Sequence, residues 1–144
     1  MIPLIALLFS FVLFRLAGWF GFSYFDHWHT SLQAAVAAML LLTASAHWGK
    51  RRPDLIKMVP PPFPWPAHIV TVTGLLEIAG AIGIMLPSLS KITSLLLVVL
   101  LIAMFPANIR AAREGIALGG KPPTPLLLRT LLQIFFIVVI LLAG

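Results

Sequence analysis

Residues 67–86 read AHIVTVTGLLEIAGAIGIML, an apolar run of twenty residues with one carboxylate, Glu77, near its centre. A helix of about 20 residues, rising 1.5 Å per residue, crosses the roughly 30 Å hydrocarbon core of a bilayer. The rest of the chain has the same character: 60% of residues are hydrophobic, 10% are charged, and the mean hydropathy is +1.06. An ordinary soluble domain is roughly a quarter charged. A 15.7 kDa chain has a large surface for its volume, and this one has too few polar residues to cover it. Lipid is the expected solvent for its outer surface.

Four further stretches have the length and polarity of spans, at 3–22, 31–48, 91–107 and 125–143. The breaks between spans carry turn residues: Asp26-His27-Trp28-His29, Lys50 to Asp54 with a following proline run, Pro87-Ser88, and Gly119-Gly120-Lys121-Pro122-Pro123. The runs lack the period-two alternation of barrel strands. The expectation is an all-α integral membrane protein, a bundle of five transmembrane helices forming one domain over residues 1–144, without internal repeats. Residues 2–14 also have the length of a signal-peptide core, but the basic start and small-residue cleavage site are missing, so a retained helix is expected. With no cysteine, thiol redox chemistry, disulfides and thiolate metal sites are excluded.

Basic residues set the expected orientation. Lys50, Arg51, Arg52, Lys57, Arg110, Arg113 and Lys121 fall on one side, against Lys91 alone on the other. The amino terminus and the two basic connections are therefore placed in the cytoplasm, with Asp26, His27, His29 and the carboxyl terminus outside. The net charge of +6 reads as membrane topology and attraction to anionic lipid heads, with no basic soluble domain for nucleic acid.

Glu77 lies ten residues past Ala67, about 15 Å deep and near the midplane. At 100° per residue, Thr73, Gly74, Gly80 and Ala81 share its face, while Leu75 and Ile82 lie opposite. Small residues admit a neighbouring backbone, so this face is expected to point into the bundle. A charge at mid-membrane costs about 2.5–3.5 kcal/mol on insertion scales and calls for a partner. Arg15 and Arg129 are the two arginines within the spans. Arg129, Gln133 and Phe136 share one stripe; Gln33, Thr43 and His47 form another; Met104-Phe105-Pro106-Ala107-Asn108 closes the fourth span. A pocket in the cytoplasmic half is expected, formed by His47, Asn108, Arg129 and Gln133 with Glu77 at its floor and Arg15 beyond. The alternative is interhelical glue at about 0.6–2 kcal/mol per hydrogen bond, the favoured reading for Gln33, Thr43 and Gln133 as single residues.

Other constellations carry less. His47 and His68 both sit near the cytoplasmic face, but His68 beside Trp65 suits the headgroup layer better than a haem or metal site. His27 and His29 are two apart and would need ligands from elsewhere, so no metal is expected. Triads, phosphate loops and zinc-protease motifs are missing from the sequence. The run Val59 to Pro66, VPPPFPWP, is stiff and nearly donor-free, a rigid connector or a lid for the pocket.

The succession His47-Trp48, Arg52-Pro53-Asp54-Leu55, Met58-Val59-Pro60, Thr73-Gly74-Leu75-Leu76-Glu77-Ile78-Ala79-Gly80 and Leu86-Pro87 resembles the DoxX-like membrane proteins. Pro106-Ala107-Asn108-Ile109 and Arg129 extend the resemblance over residues 31–143, with the first helix added to a four-helix core. It implies His47, Glu77, Asn108 and Arg129 as the family's polar positions. It also implies an accessory or catalytic partner in quinone-linked redox chemistry of a bacterial cytoplasmic membrane, with a quinone as the one candidate cofactor. Two other classes stay open: a structural or assembly subunit of a larger membrane complex, and an oligomeric carrier or proton pathway.

Overall fold

The computed structural model describes residues 2–21, 23, 27–117, 120 and 122–144. It is all-helical among these residues: α1 (Ile2–Trp19), α2 (Trp28–Ala46), α3 (Arg52–Met58), α4 (Pro66–Met85), α5 (Ser90–Glu114) and α6 (Leu126–Ala143). All but the short α3 are long and apolar enough to cross a membrane, in the five places the hydropathy marks. Asp26, Gly119 and Lys121, used above for turns and charge, lie outside the described residues.

Two elements differ from expectation. The second connection holds α3, where Arg52-Pro53-Asp54 starts a helix: proline fits a first turn whose N–H has no intrahelical acceptor, and Asp54 suits the positive end. The fourth span continues past residue 107 to Glu114 and carries Pro106 inside it. Proline removes one helical hydrogen bond without forcing the helix to end when the following residues can resume the ladder. The actual stop is Gly115 at φ 67, where the Ile116 N–H returns to Ala111 O at 3.0 Å. Asn108 and Arg110 are consequently helical residues.

α2 is the central element and packs against α1, α4 and α6. α4 packs on α5 and α5 on α6, closing a ring of α2, α4, α5 and α6 with α1 against α2. Ser31, Ala34, Ala35, Ala37 and Ala44 of α2 are buried, and such small side chains let several helices approach one rod. Val36, Ile84 and Ile140 fill the centre. Gly80 and Gly83 of α4 seat Leu97 and Thr93 of α5. The outer rows are apolar, among them Ile92, Leu96, Val99 and Ile102 on α5 and Leu127, Leu131 and Ile134 on α6. This is the reverse of a water-soluble bundle, whose outer stripe is polar.

Candidate functional site

Glu77 does face inward, and its partner is an imidazole rather than a guanidinium. Gly74, one turn before Glu77, leaves a gap on α4 that His47 fills: a Cβ built on Gly74 would lie 2.9 Å from His47 Cβ and 2.8 Å from Trp48 Cη2. His47 follows the last turn of α2, and its Nε2 stands 3.5 Å from Glu77 Oε2, at ion-pair distance. Both residues are buried, at 5% and 6% exposure. Thr43, one turn back on α2, donates from Oγ1 to Glu77 Oε2 at 3.0 Å and also lies 3.0 Å from Leu40 O. Its one hydrogen serves one of these acceptors at a time. Side chains on a helix tilt toward its start, so the Glu77 carboxylate leans toward the turn that holds Thr73. A residue at the end of α2 can therefore reach it.

The hydrogen bonds fix which nitrogen does what. His47 Nδ1 lies 2.7 Å from Val70 O. A carbonyl only accepts, so Nδ1 carries a hydrogen and donates it. Nε2 is left facing the carboxylate, and a single further proton, on Nε2 or on Glu77, completes the contact. The pair is thus a neutral imidazole with a carboxylic acid, or an imidazolium with a carboxylate. Thr73 Oγ1 lies 3.3 Å from the same Nδ1 and 3.0 Å from both Ile69 O and Val70 O on its own helix, and its one hydrogen serves one of these carbonyls at a time.

Arg52, counted above only as a basic connection residue, holds this geometry from behind. Its guanidinium donates to His47 O at 2.8 Å, to Ala67 O at 3.0 Å and to Thr71 Oγ1 at 2.9 Å. One planar group thereby ties the end of α2 to the first turns of α4, and α3 carries it. A sequence signal existed: an arginine five residues past the histidine, close enough along the chain to reach back to the end of α2.

Arg129, Asn108 and Gln133 form a second set, between α5 and α6. Arg129 donates from Nη1 to Asn108 Oδ1 at 2.8 Å and from Nε to Thr124 O at 3.0 Å. Asn108 Nδ2 turns back to Met104 O at 3.5 Å, which leaves its oxygen toward the arginine. Gln133, one turn beyond Arg129 on the same face, has a buried Nε2 with no hydrogen-bond partner. No hydrogen bond or ion pair between described residues joins this set to His47 and Glu77. Arg15 belongs to neither: its guanidinium carbon lies 5.7 Å from the Trp19 ring on α1, beside a cleft of about 270 Å³ lined by Phe11, Val12 and Leu16. The expected single convergence is two separate pairs with Arg15 apart.

The remaining polar residues read as structural. Gln33 Nε2 donates to Ala143 O at 2.9 Å in a buried contact that ties α2 to the end of α6. His29 Nε2 lies 3.3 Å from Gly144 O, so it too serves the helix ends. His68 is exposed on the first turn of α4, away from His47 Nε2. Groups of three or more histidine or acidic side chains placed to hold a metal do not occur among the described residues. The proline run meets the end of α5: Pro60 and Pro61 border a cleft of about 370 Å³ with Pro106, Ile109, Arg110 and Arg113. It therefore lies over the end of α5.

A family profile described as a domain of unknown function (DUF8561) matches residues 36–143. The chain belongs to the DUF8561 family. The match begins inside α2 and runs to the end of α6, so it takes in His47, Glu77, Asn108 and Arg129 and leaves out α1. That division follows the packing, in which α1 lies against α2 beside the closed four-helix ring. No curated protein and no solved structure matches the chain.

Proposed function

We propose that this chain is a five-span integral membrane protein of DoxX-like type in a bacterial cytoplasmic membrane. It accompanies quinone-linked redox chemistry as a partner subunit and holds an exchangeable proton on the His47–Glu77 pair. The amino terminus and the basic ends of α2 and α5 face the cytoplasm, and the carboxyl terminus faces outward. Support for the membrane comes from the five apolar helices and the apolar outer rows. In lipid, apolar burial gives helices little reason to associate, and close contact at small residues with interhelical hydrogen bonds takes over. Gly74, Gly80 and Gly83 are contacts of that kind.

The observation that carries the proton role is the fixed His47 tautomer, which leaves one hydrogen for two facing acceptors sealed from bulk water. Ionisable groups inside spans commonly mark proton paths or sites. A quinone head group does not fit at this pair, whose side chains are closed between α2 and α4. The quinone is accordingly the partner's ligand, and this chain contributes proton exchange. The test is infrared spectroscopy of the full chain in proteoliposomes during a pH jump, together with quinone-linked turnover of native membranes. Glu77→Gln should remove a pH-dependent carboxyl band and slow turnover while the helices persist. An unchanged band and unchanged turnover would sink the proposal.

A second reading is a structural subunit, favoured by one observation: Arg52, Thr43, Thr73 and Val70 tie the pair into the bundle from every side. On that reading Glu77→Gln lowers the melting temperature or the yield of a complex and leaves turnover per assembled complex unchanged.

A further inference from the structure

Among the described residues Arg129 has no counter-ion. Glu77 faces His47 and Glu114 pairs with Arg110 at 2.8 Å, and no described carboxylate lies within ion-pair reach of Arg129. A guanidinium has five N–H donors and stays protonated in proteins. Two of the five are used, on Thr124 O and Asn108 Oδ1, and both acceptors are neutral. These bonds also hold the group against the α5–α6 seam, so it is oriented rather than trailing into solvent. A second donor lies one turn along the same face, the unpartnered Gln133 Nε2. Gln133 as a whole is only part-buried, and exchanging its amide nitrogen and oxygen puts the donor at the other amide position.

We propose that the α5–α6 seam binds an anionic phospholipid, with its phosphate on Arg129 and an acyl-ester carbonyl on Gln133. The spacing favours a lipid over a small anion: residues four apart on a helix are about 6 Å apart along its axis, so the site needs one anionic and one neutral acceptor at different depths. A glycerophospholipid offers them in that order, phosphate outermost and ester deeper. Arg129 is the fourth residue of α6, near the end of the span where headgroups lie. Basic groups between spans on the cytoplasmic side are suited to acidic headgroups. The inference rests on the membrane part of the proposed function and is independent of the proton role of His47 and Glu77.

The test uses the full chain, extracted in a neutral detergent and titrated with phosphatidylglycerol, its ether-linked analogue, phosphatidylcholine, or inorganic phosphate, read by native mass spectrometry and thermal shift. Wild type should retain one phosphatidylglycerol per chain and melt higher with it, with at least tenfold weaker binding of phosphatidylcholine. Arg129→Gln should lose that preference. The ether analogue should bind wild type several-fold more weakly, and Gln133→Leu should erase the ester–ether difference. This second variant keeps the test decisive if Arg129→Gln fails to fold. Equal retention of phosphatidylglycerol by Arg129→Gln, no ester–ether difference in wild type, or an equal effect from inorganic phosphate alone would each overturn the proposal. Alkaline washing of membranes separates the two readings: release of the protein refutes the membrane assignment, whereas a retained protein that does not discriminate lipids refutes only the lipid site.

Discussion

Gly74→Ala sets two effects of known sign against each other. In a helix interior alanine is better than glycine by about 1 kcal/mol, so propensity alone predicts a more stable protein. The structure predicts the opposite. The added Cβ would stand 2.9 Å from His47 Cβ, 3.0 Å from His47 Cγ and 2.8 Å from Trp48 Cη2, all closer than ordinary van der Waals contact. His47 cannot swing aside at its Cβ, because Arg52 holds its carbonyl and Val70 O holds its ring. The two helices must separate by several tenths of an ångström, and overpacking of this kind costs about 1–3 kcal/mol. Weakening the hydrogen bond to Val70 O removes roughly another 1 kcal/mol. After the propensity gain, the net loss is about 1–3 kcal/mol.

Gly80→Ala is the control. Its Cβ would meet Leu97 Cδ2, a sharper overlap on paper, but with the far end of a side chain that can change rotamer. Thermal unfolding of both variants in the same detergent should rank Gly74→Ala below Gly80→Ala and below wild type. The histidine ¹⁵N resonances of Gly74→Ala should also shift as Nε2 moves off Glu77. A Gly74→Ala protein as stable as wild type, with unchanged imidazole signals, would refute the account of how α4 seats His47.

Two further substitutions test the supports around the pair. Arg52→Lys keeps the charge but loses the planar fork that reaches His47 O, Ala67 O and Thr71 Oγ1 together, so it should cost about 2 kcal/mol; a melting temperature equal to wild type would show the fork is dispensable. Gln33→Leu removes the buried donor to Ala143 O and should cost about 1–2 kcal/mol, with faster amide exchange confined to the last turn of α6; protection unchanged there would contradict the capping role.

The five long apolar helices were legible because hydropathy over 18 or more residues is a strong signal, and the small-residue face of Glu77 marked its inward direction. The partner of Glu77 was not legible, for a geometric reason. Depth reckoned from Cα positions separates Glu77 near the midplane from His47 near the helix end, whereas the side chains meet at 3.5 Å, in the sense expected when a glutamate tilts toward the start of its helix. Arg52 was hidden by its setting, since a basic residue in a connection satisfies the charge rule whether or not it bonds anything. Proline misled in both directions: Pro53 opens α3 and Pro106 lies inside α5, yet each reads in sequence as a break. The pairing of Asn108 with Arg129 was anticipated only as membership of one half of the bundle. That Gln133 has a buried, unpartnered nitrogen is a property of packing that no one-dimensional pattern carries.

The two polar sets differ in what the rest of the chain supplies to them. His47 and Glu77 face each other at ion-pair distance, and α2, α3 and α4 contribute further hydrogen bonds, so the pair is closed by its own chain. Among the described residues Arg129 has neutral partners and no anion, because Glu77 and Glu114 are committed elsewhere and Asp54 lies on α3. α2 links the closed pair to the far end of the bundle, with His47 docked on α4 and Gln33 docked on α6. These two anchors are fourteen residues apart, about 21 Å along one rigid helix. An axial shift of α2 would strain both at once, since His47 is seated in the notch at Gly74 and Gln33 is bonded to Ala143. The His47–Glu77 contact is therefore tied to both ends of α2, and a displacement of α2 would act on it directly.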